Sequence, residues 1–122
     1  PAPALKAQPG STLDGSWDRR LTRGLVQPDV IVDLHGHSLA DAYDLLDRRL
    51  EQAIAGGVRT MLLVTGKPPR DDRRPIARGA IRAAVGDWLA ASRHASAIAA
   101  VRNAHPRHGG TGALYLIFRR RR

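Results

Sequence analysis

Val30-Ile31-Val32-Asp33-Leu34-His35-Gly36-His37-Ser38 is an apolar run that stops in a polar, glycine-containing turn. The run from Asp29 to Leu34 predicts a strand. Ser38 then offers a helix cap, with Asp41 three residues on in the place of a capping-box acid. Leu39, Ala42, Tyr43, Leu46, Leu50, Ala53 and Ile54 follow at the i, i+3, i+4, i+7 spacing of an amphipathic helix, which Gly56-Gly57 ends. Thr60-Met61-Leu62-Leu63-Val64 is nearly all apolar, the mark of a strand buried on both faces. A strand-helix-strand unit of this kind requires a right-handed crossover and parallel strands.

Working outward, Ile81, Ala84, Val85, Trp88 and Leu89 predict a second amphipathic helix. Ala97 to Val101 and Ala113 to Phe118 predict two further strands joined by a glycine-rich loop, a pair expected to be antiparallel. The order is β-α-β-α-β-β. It predicts a two-layer α/β sandwich, a four-stranded mixed sheet with two helices on one face, and Leu46, Leu50, Trp88 and Leu89 in the core. Residues 1–28 hold seven glycines and prolines with no sustained periodicity and predict an irregular N-terminal arm. Within it Trp17, Leu21 and Leu25 recur at helical spacing, so a short turn is expected against the core, with Asp18, Arg19, Arg20 and Arg23 facing solvent or a ligand. Residues 29–118 form the domain and residues 119–122 a basic tail.

The chain has 122 residues, enough for one core, and 43% of them are hydrophobic, which excludes wholesale disorder. It has no cysteine, which excludes disulfides and thiolate metal sites and fits a reducing compartment. Its apolar runs are strand-sized, far short of a membrane span, and no apolar signal-peptide core follows Pro1. The expectation is a cytoplasmic protein with no membrane partner. Twenty Lys and Arg against eleven Asp and Glu leave a formal charge of +9, which favours a polyanion. Only Lys6 and Lys67 are lysines. Arginine forks onto phosphate better than lysine, although a GC-rich genome also spells cations this way.

Two junctions carry candidate chemistry. In parallel sheets ligands gather at the carboxyl ends of strands, which brings Asp33-Leu34-His35-Gly36 beside Thr65-Gly66-Lys67. Asp33 there could orient the imidazole of His35 or bind a cation, and His35 could move a proton near neutral pH. The plain alternative is turn chemistry, with the carboxylate capping the next helix. His37 and His105 read as loop surface. Arg107-His108-Gly109-Gly110-Thr111-Gly112 combines charge, a histidine and glycines whose amides could cradle phosphate, as Gly109, Gly110 and Gly112 would. A hairpin loop needing glycine geometry explains the glycines without the Arg-His before them. Two histidines with one nearby carboxylate match no zinc pattern, and no metal site is assigned. Lys67, Arg70, Arg73 and Arg74, in the polar loop to about Arg78, join Arg107 and the tail from Arg119 as candidate phosphate contacts.

Asp-Leu-His-Gly at 33–36, Thr-Gly-Lys at 65–67 and His-Gly-Gly-Thr-Gly-Ala-Leu-Tyr at 108–115 resemble the three signature segments of the Smr (small MutS-related) domain. The resemblance covers about residues 29–118, and Trp17-Asp18-Arg19-Arg20 with the arm resembles stand-alone bacterial Smr proteins. It implies the β-α-β-α-β-β sandwich and a nuclease nicking DNA or cleaving RNA, or a domain that binds nucleic acid or ribosomes without cutting. Asp33, His35 and His108 would then be the catalytic residues. Pro68 follows Lys67 where the family commonly has glycine, and proline has no N–H to donate there. An RNA substrate would need no cofactor; a DNA substrate would call for Mg2+ held partly by Asp33. The sequence leaves open DNA against RNA, cutting against binding, and oligomeric state. A third class, a protein-interaction adaptor, would need an exposed apolar patch.

Overall fold

The computed structural model describes residues 15–66 and 79–120. Its elements run α1 (Gly15–Thr22), β1 (Val30–Asp33), α2 (Leu39–Ala55), β2 (Thr60–Val64), α3 (Ala80–Ala91), β3 (Ile98–Asn103) and β4 (Ala113–Phe118). The sheet order is β1-β2-β4-β3, with β1 and β2 parallel and the other neighbours antiparallel. The two central strands are the two most apolar segments, as burial on both faces requires.

Helix α2 starts where Ser38 Oγ accepts the Asp41 amide at 3.1 Å. It ends where Gly57 N–H donates to Ile54 O and Val58 N–H to Ala53 O, the paired closure of a glycine-capped helix. Leu46, Leu50, Val85 and Leu89 from α2 and α3 pack with Val32, Met61, Leu63, Leu114, Leu116 and Phe118 in one core. Both helices therefore cover one face of the sheet. Truncating Leu46 or Leu89 to alanine here would cost about 2–5 kcal/mol. Trp88 departs from its expected place: it is half-buried at the core's edge, with its ring edge-on to Tyr43 at 5.4 Å.

The arm also departs from expectation. Residues 15–22 are helical, and α1 lies on the other face of the sheet, where Trp17, Leu21 and Val26 pack with Leu62, Ala100, Tyr115 and Ile117. Leu25, expected inward, is 56% exposed, while Val26 is 3% exposed. The cause is the end of α1: Gly24 N–H donates to Leu21 O and Leu25 N–H to Arg20 O, which turns the chain out of helical phase. Residues 1–14, also part of the expected arm, lie outside the described residues. The third strand begins one residue later than expected, because Ala95–Ala97 form a 3-10 turn. Arg119 is not a loose tail residue, since its N–H donates to Ala97 O and its Nε to Ser96 O.

Candidate active site at the strand ends

Parallel β1 and β2 finish at the same end of the sheet, and β4, antiparallel to β2, begins there. Asp33, Val64 and Ala113 form one row across the three strands. Leu34 N–H donates to Val64 O at 2.7 Å, and the amides of Thr65 and Gly66 donate to Gly112 O at 2.9 and 3.1 Å. Buried Thr65 adds its hydroxyl to Gly112 O at 3.3 Å. The Asp-Leu-His turn, the Thr-Gly segment and the glycine loop are thereby stitched together. In-register residues share a face. Asp33 consequently points to the same side as Val64, Ala113 and, two residues on, Tyr115, the side that α1 covers and α2 and α3 do not.

The ring Nδ1 of His35 stands 2.7 Å from Asp33 Oδ1, which also accepts the His35 main-chain N–H at 3.0 Å. Burial pushes the Asp33 carboxyl up, but the His35 hydrogen bonds and the charges of His35 and His37 outweigh it and hold the pKa below the ordinary aspartate value. An ionised carboxylate only accepts, so Nδ1 carries the hydrogen, and in the neutral ring Nε2 is left with a lone pair. Gly66 makes the room: a Cβ there would lie 3.2 Å from His35 Cβ, at a φ of +87° that side chains rarely adopt.

His108 is held the opposite way. Its Nδ1 lies 2.5 Å from the hydroxyl of fully buried Tyr115, and that oxygen also accepts the His105 N–H at 3.2 Å. The buried hydroxyl also has a hydrogen of its own to place, and His108 Nδ1 is the acceptor against it; Nε2 of the neutral ring then bears the hydrogen. Burial first, then the charges of Arg107 and His105, lowers the His108 pKa and favours this neutral ring. Sequence reading placed Tyr115 in the core and gave it no role at the site. Its sequence signal was its place at the end of the third signature segment, seven residues beyond His108, and the face it shares with the loop emerges from the fold.

The other sequence candidates divide. Arg107 is exposed beside His108, with one guanidinium nitrogen donating to Gly24 O at 3.2 Å. The glycine amides have partners within the loop: Gly109 N–H donates to Pro106 O, Gly110 N–H to His105 O and Gly112 N–H to Gly109 O. These glycines shape the turn, and the three amides are not free cradle donors. His37 is exposed, as expected, whereas His105 is half-buried against Gly24. Lys67, Arg70, Arg73 and Arg74 lie outside the described residues. As to Mg2+, the described residues contain no group of three His, Cys, Asp or Glu that could hold a metal. Asp33 Oδ1 is already engaged twice by His35, which leaves one carboxylate oxygen. Magnesium is commonly held through one or two carboxylates together with water and substrate phosphates, and the second oxygen of Asp33 is the protein donor this end of the sheet would offer it. Among the described residues no helix is long and apolar enough to cross a membrane.

A four-stranded mixed sheet backed by two helices, with an Asp-x-His turn and a His-Gly-Gly loop at one end, defines a class of small α/β sandwich. The family model of the Smr domain matches residues 32–119, and the chain belongs to the Smr domain family. Solved structures agree. The chain is similar to YdaL, a stand-alone small MutS-related protein from Escherichia coli, at 27% identity and a TM-score of 0.69 over 88% of this chain and 78% of that one. It is also similar to the Smr domain of Thermus thermophilus MutS2, at 30% identity and a TM-score of 0.59 over 73% of this chain and 96% of that one. Among curated proteins the comparison finds no match. The family is known for nucleic-acid binding and nicking endonuclease activity.

Proposed function

We propose that this chain is an endonuclease that cleaves phosphodiester bonds in nucleic acid, with RNA the substrate that its acid-base groups suit best. One observation carries the reading: two histidines share an end of the sheet, and their hydrogen-bond partners favour opposite tautomers. His35 presents a lone pair at Nε2 and is the base, with Asp33 orienting it. His108 presents Nε2–H and donates to a non-bridging phosphate oxygen. On RNA, His35 takes the 2′-OH proton, the 2′-oxygen bonds to phosphorus, and the 5′-oxygen departs and takes a proton from water. Arg107 and the cations of the 67–74 segment (Lys67, Arg70, Arg73 and Arg74) hold phosphates, free in solution or within a ribosome. DNA has no 2′-OH, and no step on DNA follows from these side chains alone.

The test is a cleavage assay on single-stranded RNA, matched DNA and branched DNA, each with magnesium and with a chelator. The expected result is RNA cleaved with chelator present to cyclic-phosphate ends, and a loss of roughly 10²–10⁴-fold in rate for His35→Ala with affinity nearly kept. A His35→Ala chain that cuts as fast as the parent overturns the assignment, and chelator-sensitive nicking of DNA alone moves the substrate to DNA. A second reading, a non-catalytic RNA-, ribosome- or DNA-binding module, is favoured by the openness of the pair: the His35 and Asp33 side chains are 63% and 52% exposed. An inactive parent that binds all three nucleic acids would establish it.

A further inference from the structure

The end of the sheet away from Asp33 carries a second, unassigned convergence of cations. Val64 and Thr60 bound β2, so this end lies about 13 Å from the first, at roughly 3.3 Å per residue. Here the guanidinium of Arg20, from α1, and that of Arg59, which leads into β2, each sit over the indole of Trp17, 5.4 Å from its centroid. Arg59 is fixed in place by donating from Nη1 to Phe118 O at 2.6 Å. Burial and the charge of nearby Arg120 push its pKa down from the usual arginine value. Two cations from separate stretches of chain thus share one ring, and the charge of Arg120 reaches the second of them.

A solvated basic helix face is the ordinary explanation for arginines on α1, but it does not cover Arg59 and Arg120, which lie outside that helix. Arg93 is answered by Asp47 and Glu51, and Arg102 by Asp18. Among the described residues, Arg20, Arg59 and Arg120 have no carboxylate partner. Asp29 spends its Oδ2 on the main-chain amides of Arg59 and Thr60. The indole offsets part of the repulsion, since a cation over an aromatic face is attracted by its quadrupole. A bound anion would offset the rest. Arg20 and Arg120 are exposed and Arg59 half-buried, so a polyanion can reach all three.

We propose that Trp17, Arg20, Arg59 and Arg120 form a second phosphate-binding site, which grips a nucleic-acid strand a few nucleotides from the bond that His35 and His108 address. The site rests on the reading that nucleic acid is the ligand, and it adds a length requirement to that reading. A strand that reaches only the first end gains nothing from this cluster. A strand that spans the sheet gains two or more phosphate contacts.

The experiment measures affinities of the full chain for single-stranded RNAs of about 3 and about 15 nucleotides over a range of salt. The variants are Arg20→Gln/Arg120→Gln, both at exposed positions, and separately Arg59→Gln, each checked by thermal melting. The double variant should lose ~10-fold in affinity for the longer strand and under ~2-fold for the shorter. Its salt slope should fall by about 1.4, at roughly 0.7 per phosphate contact on a single strand. Trp17 fluorescence, read in a Trp88→Phe background, should respond to the longer strand and not to the same concentration of inorganic phosphate. Parent-like affinity and slope in both variants would overturn the site while leaving the endonuclease reading intact. An equal loss on both strands, or an equal response to inorganic phosphate, would overturn it too. A parent chain that binds neither strand removes both readings.

Discussion

The two histidine-bearing turns stand at the same end of the sheet, but the structure holds them by different means. The turn after β1 is local and open: Asp33 fixes His35 from two residues away, and both side chains face solvent. The loop before β4 is interlocked: His108 is fixed by a buried tyrosine, His105 is bound to the same hydroxyl, and Arg107 reaches back to Gly24, 83 residues earlier. In the proposed reaction the ring held by a carboxylate is the base, and the ring held by a phenol is the donor. The difference teaches that identical side chains take complementary roles through the partner on Nδ1 alone.

The sharpest way to break the comparison is Asp33→Asn. The amide removes the charge and can turn a hydrogen toward Nδ1, which would flip His35 to the other tautomer. Cleavage of RNA should fall by roughly 10²–10⁴-fold with affinity little changed. An active Asp33→Asn chain would show that the carboxylate does not set the ring. Next in size is Gly24→Ala, which strikes the interlocked side. Its Cβ would sit 2.7 Å from both Arg107 Cδ and His105 Cγ at a φ of +69°. About 1–3 kcal/mol of stability should be lost in denaturant unfolding. Unchanged unfolding would mean that the arm turn does not brace the loop.

Much of this fold was legible because its signals are periodic. The 3.6-residue spacing from Ala42 to Ala53 and the unbroken apolar run at Thr60–Val64 set the helix, the crossover and the central strand directly. The arm was less so: eight residues from Gly15 to Thr22 give one inward turn, and the break at Gly24 swaps Leu25 for Val26 at the core. At the site, the Asp33-His35 pair could be read because its partners are two residues apart on an extended chain. Tyr115 could not, because a tyrosine in an apolar strand looks like core until the loop folds back over its hydroxyl. The glycine amides misled for a related reason: glycine marks where a chain bends, and says nothing of which carbonyls its amides will meet.

Two smaller effects sharpen the comparison. Tyr115→Phe removes the donor to His108 Nδ1 while keeping the ring in the core, so the tautomer is no longer fixed. Cleavage should fall by about 3–10-fold, roughly one neutral hydrogen bond's worth. A rate equal to the parent's would remove Tyr115 from the site. The smallest effect is on stability against pH. The folded pKa of His108 lies below the ordinary value of about 6.5. Its contribution is therefore complete above that value and is lost as pH falls through the lowered folded pKa. The thermal midpoint should drop on going from about pH 7 to pH 5, and His108→Asn should flatten that drop by about 1–2 °C. Asp33 acts in the same direction at lower pH, with its share present above 3.8 and lost as pH falls through its lowered value. An unaltered pH slope in His108→Asn would contradict the shift.

The opposed tautomers are most directly read by nitrogen NMR of the histidine rings, at about pH 8 where an ordinary imidazole is neutral. His35 should show a protonated Nδ1 and an unprotonated Nε2, and His108 the reverse. Rings of the same tautomer, or fast exchange between the two forms at either position, would contradict the account.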